Sequence, residues 1–71
     1  MAFELICSVR EHRKEKGLTQ GELAQRIGVS RQSINYIENG SISPSIKLAL
    51  LIALELDCSI ESIFILRGTH D

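Results

Sequence analysis

The sequence predicts one all-α domain, 71 residues long, built from five short helices. Three observations predict it. Apolar residues recur at i, i+3 and i+4 spacing instead of alternating. A single Pro and few aromatics leave little material for a sheet. Ser, Thr and Gly stand where short helices would begin and end. No β-branched run alternates like a strand, and only residues 63–66, Ile-Phe-Ile-Leu, give pause.

The first helix is expected over residues 3–16. Leu5, Ile6, Val9 and Arg13 share its inner face, and Arg13 is the one charge on that stripe. Gly17 ends it, Leu18 folds back onto the last turn, and Lys14 and Lys16 sit where the helix dipole favours cations. His12 reads as helix surface, since no companion is spaced for a metal.

Thr19 followed by Glu22 is a capping box, so a second helix starts at Gln20 and runs to Ile27. Leu23, Ala24 and Ile27 form its narrow apolar stripe. Its free N-terminal N–H groups suit an anion, and Gln20 adds a donor there. Gly21 is a poor helix residue whose cost is small near a helix start. Ile27-Gly28-Val29-Ser30 leaves no room for a long loop, and Gly28 can take the positive φ of a tight corner. Small Ala24 is placed to let the next helix cross closely.

Ser30 caps that next helix, residues 31–38. Ile34 and Ile37 turn inward, which leaves Arg31, Gln32, Asn35 and Tyr36 outward, with Ser33 at the margin. Arg can read guanine O6 and N7, and Gln or Asn can read adenine N6 and N7. Tyr36 is also placed to pack on the rim of the core. Asn39-Gly40 closes the helix, and Ser41 and Ser43 give the following loop hydroxyls.

Ser45 caps a fourth helix, residues 46–56, that is apolar nearly all round. Leu48, Ile52 and Leu56 are its expected core stripe, beside Ala49 and Ala53. Leu50, Leu51 and Leu54 are a surplus: either the last helix and the tail cover them, or they are a partner surface, a second copy being the foremost candidate. Asp57 ends this helix. Ser59 caps a fifth, residues 60–66, whose Ile60, Ile63 and Phe64 reach the core. Ile65 and Leu66 extend beyond it and are expected to join Leu51 and Leu54 in a dimer contact. Residues 68–71 are expected to fray.

Composition narrows the function. Net charge is −1, but residues 1–36 carry six Lys/Arg against four Asp/Glu, and residues 37–71 two against five. The basic end therefore surrounds the 20–39 unit, although the field is weak and a limited salt dependence is expected. Cys7 and Cys58 have neither framework nor metal spacing and read as small apolar side chains in a reducing cytoplasm. No run is long enough to span a bilayer. Neither a catalytic His/Asp/Ser or Cys/His set nor a phosphate-binding Gly loop is present, so the sequence points away from an enzyme. No cofactor, metal or small-molecule effector is implied.

Residues 20–39 have the layout of two helices meeting at a tight corner. With Arg13, Gly17-Leu18-Thr19-Gln20, Leu23-Ala24, Gly28-Val29-Ser30, Ile34, Ile37-Glu38-Asn39-Gly40, Pro44-Ser45 and Cys58-Ser59-Ile60-Glu61, they make nearly the whole chain resemble the phage lambda repressor and Cro type of helix-turn-helix DNA-binding domain. The resemblance implies a lambda-repressor-like fold with residues 31–38 as recognition helix. It implies double-stranded DNA as partner, with Arg31, Gln32, Asn35 and Tyr36 on bases and Gln20, Ser30, Ser33, Asn39, Ser41 and Arg13 on the backbone. It also implies an ion pair between Arg13 and Glu38. Ser41 and Ser43 stand where relatives often carry Lys or Arg, which weakens the phosphate clamp. The expected protein is a cytoplasmic, homodimeric transcriptional regulator, in the first instance a repressor, on a near-palindromic operator. The alternative is an interaction module of the same fold that pairs with another regulator without binding DNA.

Overall fold

A computed structural model describes residues 2–69. Its elements run β1 (Ala2–Cys7), α1 (Val9–Glu15), α2 (Gln20–Ile27), α3 (Arg31–Glu38), α4 (Ile46–Glu55), α5 (Ile60–Ile63) and β2 (Phe64–Thr69). Five helices are present, but the fold is not all-α: β1 and β2 pair antiparallel in a two-stranded sheet.

The sheet corrects both ends of the sequence reading. Residues 3–7 are strand, and α1 begins only at Val9. The fifth helix stops at Ile63, and 64–66 continue as strand with Gly68 and Thr69 instead of fraying. His70 and Asp71 lie outside the described residues. The register sets Leu5 opposite Leu66, Ile6 opposite Ile65 and Cys7 opposite Phe64. Branched and aromatic cross-strand pairs of this kind stabilise a ladder. At its base the Ser8 N–H donates to the Ile63 carbonyl at 2.8 Å, tying the start of α1 to the end of α5.

The helices end where their caps dictate. At the close of α1, Gly17 has φ 71°, its N–H donates to Lys14 O, and Leu18 N–H donates to Arg13 O. This paired 5→2 and 6→1 closure needs a left-handed residue. It recurs after α3 with Gly40, and after α4 with Asp57 at φ 54°.

Val9, Leu18, Leu23, Ala24, Ile34, Ile37, Ile52, Ala53, Leu56 and Ile63 form the buried core, with Cys7, Leu48, Cys58, Ile60 and Phe64 packed against it. α4 buries Ala49, Ile52 and Ala53. Ile46, Leu50 and Leu54, spaced four apart, are exposed, and Leu51 is half-buried. No helix among the described residues is long and apolar enough to cross a membrane.

Candidate nucleic-acid interface

α2 is nucleated by its cap. Glu22 N–H donates to Thr19 Oγ1 at 3.0 Å, and Thr19 N–H donates back to Glu22 Oε1 at 2.9 Å. The bond from the Thr19 backbone, then that from its hydroxyl, holds the Glu22 carboxyl below its usual range. Gly28, at φ 78° and ψ 32°, ends α2 and turns the chain. Ser30 then starts α3, accepting from Ser33 N–H at 3.1 Å, while the two hydroxyls lie 2.8 Å apart.

The crossing is locked by a polar cluster joining α1, α2 and α3. Arg13 Nε donates to Glu38 Oε2 at 2.7 Å and its Nη2 to Oε1 at 3.2 Å, while Nη1 donates to Leu18 O at 2.7 Å. Gln20 Nε2 donates to Glu38 Oε1 at 3.0 Å and to Asn35 Oδ1 at 3.2 Å. The Glu38 side chain is 0% exposed and Arg10 Nε stands 3.7 Å from its Oε1. Burial pushes the Glu38 carboxyl up, but the hydrogen bonds from Arg13 and Gln20, with the Arg13 and Arg10 charges, outweigh it and leave the pKa lowered.

This cluster sorts the residues singled out in the sequence. Arg13 is 7% exposed and all three guanidinium nitrogens donate inward, so its geometry is that of a strut and it is poorly placed to meet a phosphate. Gln20 and Asn35 are half-buried and joined; the Gln20 carbonyl and the Asn35 amide N–H groups remain for a ligand. Arg31, Gln32 and Tyr36 share the exposed side of α3, with Gln32 Nε2 donating to Tyr36 Oη at 2.6 Å. Asn39 and Ser41 are exposed at its C-terminal end. Of the residues expected at a dimer contact, Leu54 is on α4, Ile65 and Leu66 are on β2, and Leu51 is the least accessible.

A groove of roughly 520 Å³ opens at the start of α2, lined by Lys14, Thr19, Gln20, Gly21 and Arg31 among others. Arg10, Arg13, Lys16, Arg26 and Arg67 are all in ion pairs. Among the described residues Lys14 and Arg31 have no such partner, so uncompensated positive charge collects beside the outward N–H groups of α2. Sequence reasoning gave Lys14 only a role at the helix dipole. The available signal was the short 16–19 link, which must bring the last turn of α1 next to the first turn of α2. No cluster of His, Cys, Asp or Glu suited to a metal occurs among the described residues.

Residues 9–63 match a family model described as helix-turn-helix. A protein of Methanothermobacter thermautotrophicus, described as an uncharacterized HTH-type transcriptional regulator, is 59% identical over 59 residues, 82% of this chain and 86% of its own. SinR of Bacillus subtilis, an HTH-type transcriptional regulator, is 34% identical over 56 residues, covering 78% of this chain and 50% of SinR. The solved N-terminal DNA-binding domain of SinR superposes with a TM-score of 0.70 at 33% identity, covering 76% of this chain and 80% of that one. The transcriptional regulator VanUg superposes with a TM-score of 0.76 over 97% of this chain and 92% of its own; at 17% identity this likeness concerns the fold alone.

Proposed function

The chain belongs to the helix-turn-helix family of transcriptional regulators, a class without enzymatic activity, and we propose that it is a sequence-specific double-stranded DNA-binding regulator. The observation that carries this reading is the polar, outward side of α3 beside a groove where two cations, Lys14 and Arg31, have no ion-pair partner among the described residues. α3 enters the major groove. Arg31 and Gln32, nearest its N-terminus, lie deepest, and Asn35 and Tyr36 reach the following bases. Gln20, Ser30, Ser33, Asn39 and Ser41 face the flanking phosphates together with Lys14, and Arg13 acts through Glu38. Phosphate contacts set the register, and the α3 side chains set the sequence.

The protein works in the cytoplasm as a homodimer on a near-palindromic operator, with two α3 helices about 34 Å apart on one side of the duplex. Occupying a promoter represses it, and the protein's own concentration regulates occupancy through dimerisation. Selection from random duplexes followed by sequencing tests the reading. A two-fold symmetric motif is the expected result; recovery of no motif rejects it. The second reading is a module that pairs with another regulator, favoured by the exposed Ile46, Leu50 and Leu54 of α4. It predicts that no duplex is retained.

A further inference from the structure

The β1–β2 ribbon projects from the helical body. The molecule measures 40 × 21 × 20 Å. Its long dimension exceeds the others by about the ~20 Å that a six-residue strand spans. Its surface, 4779 Å², is larger than the roughly 4,400 Å² of a compact chain of this mass.

Residues opposite each other in an antiparallel pair share a face, so Phe3, Leu5, Cys7, Phe64 and Leu66 line one side. Cys7 and Phe64 rest on the core. Phe3, Leu5 and Leu66 do not: they are 66%, 42% and 68% exposed. A two-stranded ribbon with a bare apolar face is marginal alone. The outer edge of β2 is also unguarded. Its sequence, FILRGT, has no Pro or Lys, and its one charge, Arg67, is engaged by Glu4 at 3.4 Å. Natural proteins block a free edge of this kind unless something pairs with it.

Resting on the homodimer reading above, we propose that β2 of a second copy pairs antiparallel with this edge, about a two-fold axis beside Leu66. The two ribbons then form one four-stranded sheet. In this register Leu66 faces its own counterpart, and each Phe64 faces the partner's Gly68, an aromatic ring over a bare glycine. Arg67 faces the partner's Ile65. Centring the axis one residue later, on Arg67, would set two like charges directly opposite, which is unfavourable.

A second copy is the occupant that fits in length. Antiparallel pairing puts the helical bodies at opposite ends of an overlap about 17 Å long. Each body is about 20 Å across, so their centres lie roughly 35–40 Å apart, the scale of the ~34 Å between successive major grooves on one side of DNA.

The test compares the full chain with Leu66→Lys and Leu54→Lys by sedimentation equilibrium, and follows disulfide formation in Leu66→Cys with wild type as the control for Cys7 and Cys58. Leu66→Lys should weaken dimerisation at least about a hundredfold, since the change acts twice at the axis, with the helical circular dichroism unchanged. Leu54→Lys should dimerise like wild type. In Leu66→Cys the two Cβ atoms lie about 5 Å apart, so oxidation should give a covalent dimer that still binds the selected duplex. Should Leu66→Lys lose its fold, the cysteine variant decides alone. A dimeric wild type with Leu66→Lys equally dimeric, or Leu66→Cys giving no more covalent dimer than wild type, overturns the ribbon contact and leaves the homodimer standing. A wild type monomeric at every concentration overturns both.

Discussion

Glu38 holds the three N-terminal helices in register, because one buried carboxylate accepts from Arg13 on α1 and Gln20 on α2. Removing it leaves the Arg13 guanidinium buried and unpaired, which is far worse than never having built the pair. Glu38→Ala should lose more than ~2 kcal/mol in urea denaturation, whereas Glu11→Ala, on an exposed side chain, should be close to neutral. Because its carboxyl titrates below the ordinary 4.5, Glu38 contributes stability that is complete above that value and is lost as pH falls through the lower folded one. Wild type should therefore lose more stability on acidification than Glu38→Gln does, measured as the shift in denaturation midpoint. A lone charge on an apolar stripe makes Arg13 conspicuous in the sequence. The hydrogen bond from Gln20 to Asn35 is not visible there, because it exists only once α2 and α3 cross. Arg31, solvent-facing and unpaired, has no such structural duty. Arg31→Ala should leave the melting temperature unchanged, cost about 1–3 kcal/mol on the selected site and relax one position. An equal loss on random DNA would show a backbone contact only.

The elements read most clearly from the sequence are those announced by local chemistry. Thr19, Ser30 and Ser45 each accept from a backbone N–H in the first turn of the helix that follows, and these caps fix the starts of α2, α3 and α4. The strands escaped because their stabilising contacts are not local. Residues 2–9 satisfy a helical stripe through Leu5, Ile6 and Val9 as well as an alternation through Phe3, Leu5 and Cys7. What decides between them is a partner at 64–69, at the other end of the chain. Helix ends are a matter of backbone conformation, and two substitutions measure it with opposite signs. An added Cβ at Gly28 meets nothing within 4 Å, so Gly28→Ala should cost about 1–2 kcal/mol from the left-handed backbone alone. Asp57 holds the same conformation without being glycine. Its 3.9 Å approach to Lys16 is at the surface and contributes little. Asp57→Gly should therefore raise stability by about 0.5–1 kcal/mol in the same assay.

At the scale of the whole molecule the difficulty is charge: a net −1 is an unpromising total for a protein that meets DNA. Dividing the sequence into halves locates the basic end but overstates it, because sequence cannot show which cations are already spent. In the structure Arg10, Arg13, Lys16, Arg26 and Arg67 are held by carboxylates, while Lys14 and Arg31 line the groove at α2 without one. Lys47 has no ion-pair partner among the described residues either but does not line that groove, so the two free cations at the groove give four per dimer. Each phosphate neutralised on B-DNA contributes about −0.9 to the slope of log K against log salt, so the dimer should show a slope of about −4. Fluorescence anisotropy on the selected duplex across a salt series measures it. Lys14→Ala should reduce the slope by about 2 and weaken selected and random duplexes alike. A wild-type slope twice as steep would mean that cations in loose surface pairs, such as Arg10 and Lys16, also reach the phosphates.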